Sequence, residues 1–262
     1  MPYLGFSTGA LALGNFQEAL RLMEGTSMTA VELSALRLPE LPVLIEALPK
    51  LNLGQFSYIS FHAPSRFSVD EEGGVIELLC QIPREVPIIV HPDTIHDPGK
   101  WIAFGGQLAI ENMDRRKADG RSAEELSQWF DRLPNARLCF DMAHAHQCDR
   151  TMTEAFRILV RFGDRICQLH ISELDSAGHH FPLSYGSMQA FSEVASLIPA
   201  GCPAIIESLS PLQEADDDQQ RVWIEREAYR ARAAIGCGGA LPGAPDSSDE
   251  AAIPSTPVPA QL

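Results

Sequence analysis

The sequence predicts an α/β protein, a single (β/α)8 TIM barrel, from three observations. Eight short apolar runs of strand length alternate with helix-like stretches along the chain. The runs are near-continuously apolar, as expected of parallel strands buried on both faces. Six consecutive runs end in a carboxylate or an imidazole, and a parallel barrel collects such ends on one face. A length of 262 residues suits one such barrel. A doubly wound open sheet is the alternative, but no GxGxxG follows the first run to support it.

The elements follow in order. Tyr3 to Ser7 reads as the first strand, and Asn15 can cap a helix through Met23 with Phe16, Ala19, Leu20 and Met23 on one face. Met28 to Leu33 is the second strand, followed by a helix from about Leu41 to Leu48. Tyr58 to His62 is the third, with a helix near Val75 to Cys80. Val86 to His91 is the fourth, with a poorer helix around Trp101. Gln107 to Glu111 is the fifth, after which Ser122 and Glu125 form a capping box for a helix through Leu133. Arg137 to Asp141 is the sixth, with a helix from Thr151 to Phe162. Ile166 to Ile171 is the seventh, with a helix from Tyr185 to Ile198. Pro203 to Glu207 is the eighth, and a long polar helix runs from Pro211 to Ile235. The barrel is thus expected over 1–235. Residues 236–262, rich in Pro, Ser and Ala with three acids and no base, are expected to be a disordered tail.

The formal charge is −15, from 35 acids against 20 bases. That balance argues against duplex nucleic acid, whose phosphates need clustered Lys and Arg. The six cysteines are scattered without CxxC pairs and read as small core residues in a reducing compartment. There is no leader-like start and no apolar run long enough to span a bilayer, so a cytoplasmic location without membrane contact is expected.

The strand ends carry the chemistry. His62 ends the third strand, His91 the fourth, Glu111 the fifth, Asp141 the sixth, His170 the seventh and Glu207 the eighth. A single histidine at a strand end is ordinarily just a polar residue where the chain leaves the core. Six ligand-type side chains aimed at one small volume are different, because their like charges would repel, and divalent cations remove that cost. His144 follows Asp141 in a DxxH spacing, and either serves a neighbouring metal, holds substrate or faces solvent. Of His179 and His180, one is expected to face the site; His96 and His146 are expected at the surface. Arg37, Arg66, Arg115, Arg116 and Arg150 lie beyond strand ends, with Arg115 and Arg116 best placed for an anionic substrate. Glu32 either points into the barrel mouth or pairs with an arginine, and the acids from Glu214 to Asp218 suit a helix start.

The motifs FHAP, VHPD, AIENMD, CFDMAHAH, QLHISELD, HHFPLSYG and AIIES, in this order at these strand ends, resemble the xylose isomerase-like TIM-barrel superfamily, which includes endonuclease IV and sugar isomerases and epimerases. The resemblance covers about 3–235. It implies a four-ligand metal site at Glu111, Asp141, His170 and Glu207, as in the epimerases, and further ligands at His62 and His91, as in endonuclease IV. It also implies a third metal at His144 and His180, although the aspartate of that family's Asp-x-His pair falls on Gly178 here.

Two reactions follow. The first, which the two extra histidines favour, is hydrolysis of a small phosphoester by two ions bridged by Glu111, Zn²⁺ suiting the imidazole side and Mn²⁺ the carboxylate side, with a third ion or the substrate phosphate at His144 and His180. The second is isomerisation or epimerisation of a sugar or sugar phosphate by one ion, with Glu111 and Glu207 exchanging a proton beside the carbonyl. A non-catalytic barrel that keeps its ligands for stability fits less well, because structural zinc sits in closed four-ligand sites.

Overall fold

The computed structural model of the chain describes residues 3–211 and 215–236. Eight parallel strands close into a barrel: β1 (Leu4–Ser7), β2 (Ala30–Ser34), β3 (Tyr58–His62), β4 (Ile88–Val90), β5 (Leu108–Glu111), β6 (Arg137–Asp141), β7 (Ile166–Ile171) and β10 (Ala204–Ile206). β10 closes the ring between β7 and β1. Two short strands, β8 (Glu173–Leu174) and β9 (His180–Phe181), pair antiparallel above β7. The expected strands are all present. β4 and β10 are shorter than expected because Pro87 and Pro203 cannot donate to the ladder, and His91 and Glu207 stand just past the last paired residue.

The helices form the outer layer: α1 (Thr8–Leu11), α2 (Phe16–Met23), α3 (Glu40–Ala47), α4 (Glu72–Leu79), α5 (Pro98–Trp101), α6 (Ala123–Arg132), α7 (Met142–Cys148), α8 (Thr153–Phe162), α9 (Tyr185–Ser192) and α10 (Asp217–Ala234). Asn15 caps α2 by accepting the Glu18 N–H, and Ser122 caps α6 by accepting the Glu125 N–H. The Glu125 carboxylate bonds the Arg121 N–H and guanidinium.

Four helices differ from expectation. The stretch around Trp101 breaks into α5 and a 3₁₀ run in which Gly105 turns left-handed. α8 starts at Thr153 because Asp149 captures the N–H groups of Thr151 and Glu154. α9 stops at Ser192, with a separate 3₁₀ turn at Ala195–Leu197. α10 starts at Asp217 because Asp216 caps it by accepting the Gln219 N–H. Gly236 follows α10 with a φ of 71°, the left-handed stop that glycine allows. The rest of the expected tail, 237–262 with Cys237, lies outside the described residues, as does Glu214. Cys139, Cys167 and Cys202 are buried, whereas Cys80 is exposed and Cys148 half-buried: helix positions can face outward even within an apolar run.

Between sheet and helices lies one large core whose bulkiest fully buried side chains include Trp101, Phe6, Phe61, Phe140 and Phe191. Alternate residues on each strand face the barrel axis. At the mouth these are the strand-end carboxylates and imidazoles. One layer below stand Glu32, Ser60 and Gln168, all fully buried, beside a small apolar group of Ile89, Ala109, Cys139 and Cys167. Among the described residues no helix is long and apolar enough to cross a membrane.

Candidate metal centre

The strand pairing brings the six strand-end residues to one point, with Glu111 at its centre. Glu111 Oε2 lies 3.2 Å from His62 Nε2 and 3.3 Å from His91 Nε2. Its Oε1 lies 3.1 Å from His170 Nδ1 and 3.4 Å from His144 Nδ1. Glu207 Oε2 stands 3.5 Å from His170 Nδ1. Two groups of donor atoms gather within 4.8 Å: His62, His91 and Glu111, and Glu111, Asp141, His170 and Glu207. Glu111 belongs to both.

Local bonds set the orientation of Asp141, His62 and His144. Asp141 ends β6 and caps α7, accepting the His144 N–H on Oδ1 at 2.6 Å. Its Oδ2 is buried and has no hydrogen-bond partner among the described residues. Asn112, directly after Glu111, staples β5 to β6: its amide donates to the Asp141 carbonyl at 2.8 Å and accepts the Asp141 N–H at 2.7 Å. His62 Nδ1 donates to the Ala63 carbonyl at 2.7 Å, and His144 Nδ1 donates to the Asn112 carbonyl at 2.8 Å. A carbonyl only accepts, so Nδ1 carries a proton in both rings, and Nε2 is the nitrogen that exposes a lone pair when the ring is neutral. Asn112 was not singled out from sequence; its only signal is its place beside a strand-end glutamate.

The electrostatics of the site follow from burial and from crowding of its carboxylates and imidazoles. Burial pushes the Glu207 carboxyl up to about 8, with the Glu111, Asp141 and Glu32 carboxylates adding to it against His170. Burial likewise raises Asp141. Burial opposes protonation of His62, but its bond to Glu111 wins and lifts it to about 9. Burial and the neighbouring His144 drive His180 down to about 3. Crowded carboxylates, the buried Oδ2 of Asp141 and imidazole nitrogens directed at them are a donor set that fits a divalent cation.

A cavity of about 590 Å³ opens above the centre. His62, His91, Glu111, His144, His180 and Glu207 line it, while Asp141 and His170 sit beneath. Arg66, Arg116 and Lys117 supply its positive rim. Arg116 is held by both Asp114 oxygens, at 2.9 and 2.8 Å, and by the Ala177 carbonyl at 2.5 Å. Its guanidinium lies over Gly178, where any Cβ would overlap it. Lys117 pairs with Asp93 at 2.7 Å.

The remaining candidates separate clearly. Arg115 lines a different surface depression with Arg121, Glu125 and Asp149, away from the barrel mouth. His180, on β9, faces the cavity with Nδ1 2.9 Å from the Ser172 hydroxyl, whereas His179 is exposed and pairs with Asp175 at 3.1 Å. His144 lies on α7, a helix unforeseen from sequence, and not on a loop. Among the described residues neither ligand group contains His144 or His180, and the fixed Arg116 cation stands on their side of the cavity. Arg37 pairs with Glu40, and Arg150 reaches His146. His96 is exposed, but His146 is half-buried with its ring edge on Phe191, because α7 packs that face inward. Glu32 points into the barrel and bonds His170 rather than an arginine.

Fold and site together define a parallel (β/α)8 barrel with convergent carboxylates and imidazoles, side chains that could hold a metal ion, at its C-terminal mouth. The profile of the family described as xylose isomerase-like TIM barrel matches residues 102–226. Over that stretch the chain resembles the xylose isomerase-like superfamily. The matched stretch holds Glu111, Asp141, His170 and Glu207 and stops short of His62 and His91.

Solved structures with the same fold include a protein from Anabaena variabilis assigned as a sugar phosphate isomerase/epimerase, 11% identical with a TM-score of 0.56, over 89% of this chain and 99% of that one. The 3-keto-D-glucoside 4-epimerase of E. coli, in its apo form, is 10% identical with a TM-score of 0.50, over 86% of this chain and 100% of that one. A xylose isomerase-like TIM-barrel protein from Mycobacterium smegmatis in complex with magnesium is 12% identical with a TM-score of 0.54, over 89% and 97%. At such identities the likeness establishes the fold alone. No curated protein matches the chain in sequence. The preference for phosphoester hydrolysis drawn from the two extra histidines finds no support in these relationships.

Proposed function

We propose that the chain is a divalent-metal-dependent isomerase or epimerase of a sugar or sugar phosphate. The observation that carries this reading is the four-residue donor set Glu111, Asp141, His170 and Glu207, which lies wholly inside the stretch matched by the family profile. These residues would hold one ion, and their three carboxylates suit Mn²⁺ or Mg²⁺ better than Zn²⁺. When bound, it supplies Lewis acidity toward a carbonyl and the neighbouring hydroxyl.

The chain's own residues do the rest. Glu111 and Glu207 come from β5 and the end of β10, three strands apart around the ring, and both line the cavity. A sugar lying between them has a carboxylate toward each face of the carbon beside its carbonyl. One glutamate takes the proton from that carbon and the other returns a proton to it. His62 and His144 offer Nε2 to substrate hydroxyls, since Nδ1 of each is committed to a backbone carbonyl. Arg116 keeps N–H groups beyond its bonds to Asp114 and Ala177, and with Arg66 it provides for a phosphate at the rim. The acidic chain suits a small substrate rather than duplex nucleic acid.

The test is solvent exchange. Protein supplied with Mn²⁺ and incubated in D₂O with ketoses, 3-keto sugars and their phosphates should place deuterium on the carbon beside the carbonyl. Glu111→Gln and Glu207→Gln should each lower that exchange by about 10²–10⁴-fold. Cleavage of phosphoesters without exchange would replace this reading with the hydrolytic one. One observation favours that second reading, the adjoining group of His62, His91 and Glu111.

A further inference from the structure

Glu32 sits in the middle of β2 and is fully buried. Among the described residues its one ion-pair partner is His170. Its Oε2 lies 2.9 Å from His170 Nε2, 2.7 Å from the Gln168 amide nitrogen and 3.4 Å from the Ser60 hydroxyl. Gln168 in turn accepts the Tyr58 hydroxyl at 2.9 Å. A continuous polar chain, Tyr58 to Gln168 to Glu32 to His170 to Glu111, therefore rises through the barrel interior to the mouth.

We propose that Glu32 is the positioning residue of the metal centre, accepting the Nε2–H of His170 and so making Nδ1 the nitrogen that gives up its proton to take a cation. The inference rests on the metal-centre reading above. The same His170 Nε2 also lies 2.8 Å from the Gln168 amide nitrogen, which only donates, but that amide gives its hydrogen to Glu32 Oε2 at 2.7 Å. With a cation on Nδ1 the ring proton therefore sits on Nε2 and goes to the carboxylate oxygen, which only accepts. The other nitrogen faces only acceptors: Glu111 Oε1 at 3.1 Å, Glu207 Oε2 at 3.5 Å and Asp141 Oδ2 at 3.9 Å. With Nε2–H fixed below, Nδ1 is the ring atom directed at that set. A carboxylate behind a ligating imidazole fixes the plane of the ring and strengthens it as a donor, and loss of such a partner costs about 10–100-fold in metal affinity. The register sets this geometry, because Glu32 is level with Ser60 on β3 and His170 is level with Asp141 on β6.

The experiment is calorimetric titration of metal-stripped protein with Mn²⁺. Glu32→Gln preserves shape but removes the charge, and its Kd should rise about 10–100-fold. Ser60→Ala strips only the 3.4 Å contact from the same carboxylate and should stay within about twofold of wild type. Long-range ¹H–¹⁵N spectra of Zn²⁺-loaded wild type should show His170 protonated at Nε2 and unprotonated at Nδ1. A folded Glu32→Gln protein with unchanged Kd overturns the positioning role alone. So does a wild-type His170 that ligates through Nε2, and this reading decides the matter even if Glu32→Gln does not fold. Wild type that binds no Mn²⁺ overturns the metal centre and the positioning role with it.

Discussion

Glu111 Oε2 and His62 Nε2 stand 3.2 Å apart, and the opposite oxygen of the same carboxylate faces His170. One side chain therefore joins two ligand groups with different donor chemistry. The group on the β6, β7 and β10 side holds three carboxylates and one imidazole, and the group on the β3 and β4 side holds two imidazoles and the shared carboxylate.

Metal stoichiometry separates the two groups. The proposed isomerase needs one tight equivalent of Mn²⁺, retained in His62→Ala/His91→Ala and lost in Glu111→Ala, as read by elemental analysis after dialysis. A second equivalent that disappears with the two histidines would shift the balance to dinuclear hydrolysis.

Removing the ion should also destabilise the fold, because a cation that binds only the native state adds to its stability. At 100 times its Kd an ion contributes about 2.7 kcal/mol. For a domain of this size, chelation should lower Tm by roughly 5–10 °C in differential scanning calorimetry. Glu111→Ala, tested alike, should show no chelator response.

Gly178→Ala should disturb the rim without touching the ligands. Gly178 has a φ of 81°, which alanine adopts only with strain, and the new methyl would overlap the Arg116 guanidinium. A stability loss of about 1–3 kcal/mol is expected in urea unfolding. If Arg116 holds a phosphate, KM for a phosphorylated substrate should rise while KM for its unphosphorylated analogue changes little.

Glu72 gives a pH-dependent test away from the mouth. It is buried at the start of α4, and burial pushes its carboxyl up. The Asp97 N–H, the Trp101 indole, Lys100 and the His96 N–H outweigh that and hold it at about 2, against an ordinary 4.5. A carboxylate lowered on folding adds stability above its unfolded value, and that stability is lost as pH falls through its folded value. Glu72→Gln should cost about 1–3 kcal/mol at pH 7. The gap from wild type should narrow as pH falls from about 4.5 toward 2. A gap independent of pH would show that charge on Glu72 contributes nothing.

The sequence by itself determined the barrel and the identity of the six strand-end residues. Period and strand length are local properties, and an apolar run such as Arg137 to Asp141 carries its terminal carboxylate wherever it folds. Also local were the caps at Asn15 and Ser122. Only the tertiary structure decided which of these side chains share a neighbour. Adjacent Arg115 and Arg116 part company because Asp114 and the Ala177 carbonyl hold one over the cavity, while the other turns to the groove beside α6. His144 meets Glu111 because Asp141 caps a helix that begins on the strand's last residue. Glu32 is the clearest case: 138 residues separate it from His170, and barrel closure with its register alone brings them to 2.9 Å. Strand pairing across a closed barrel depends on register summed around the ring, a non-local quantity that no window of sequence contains.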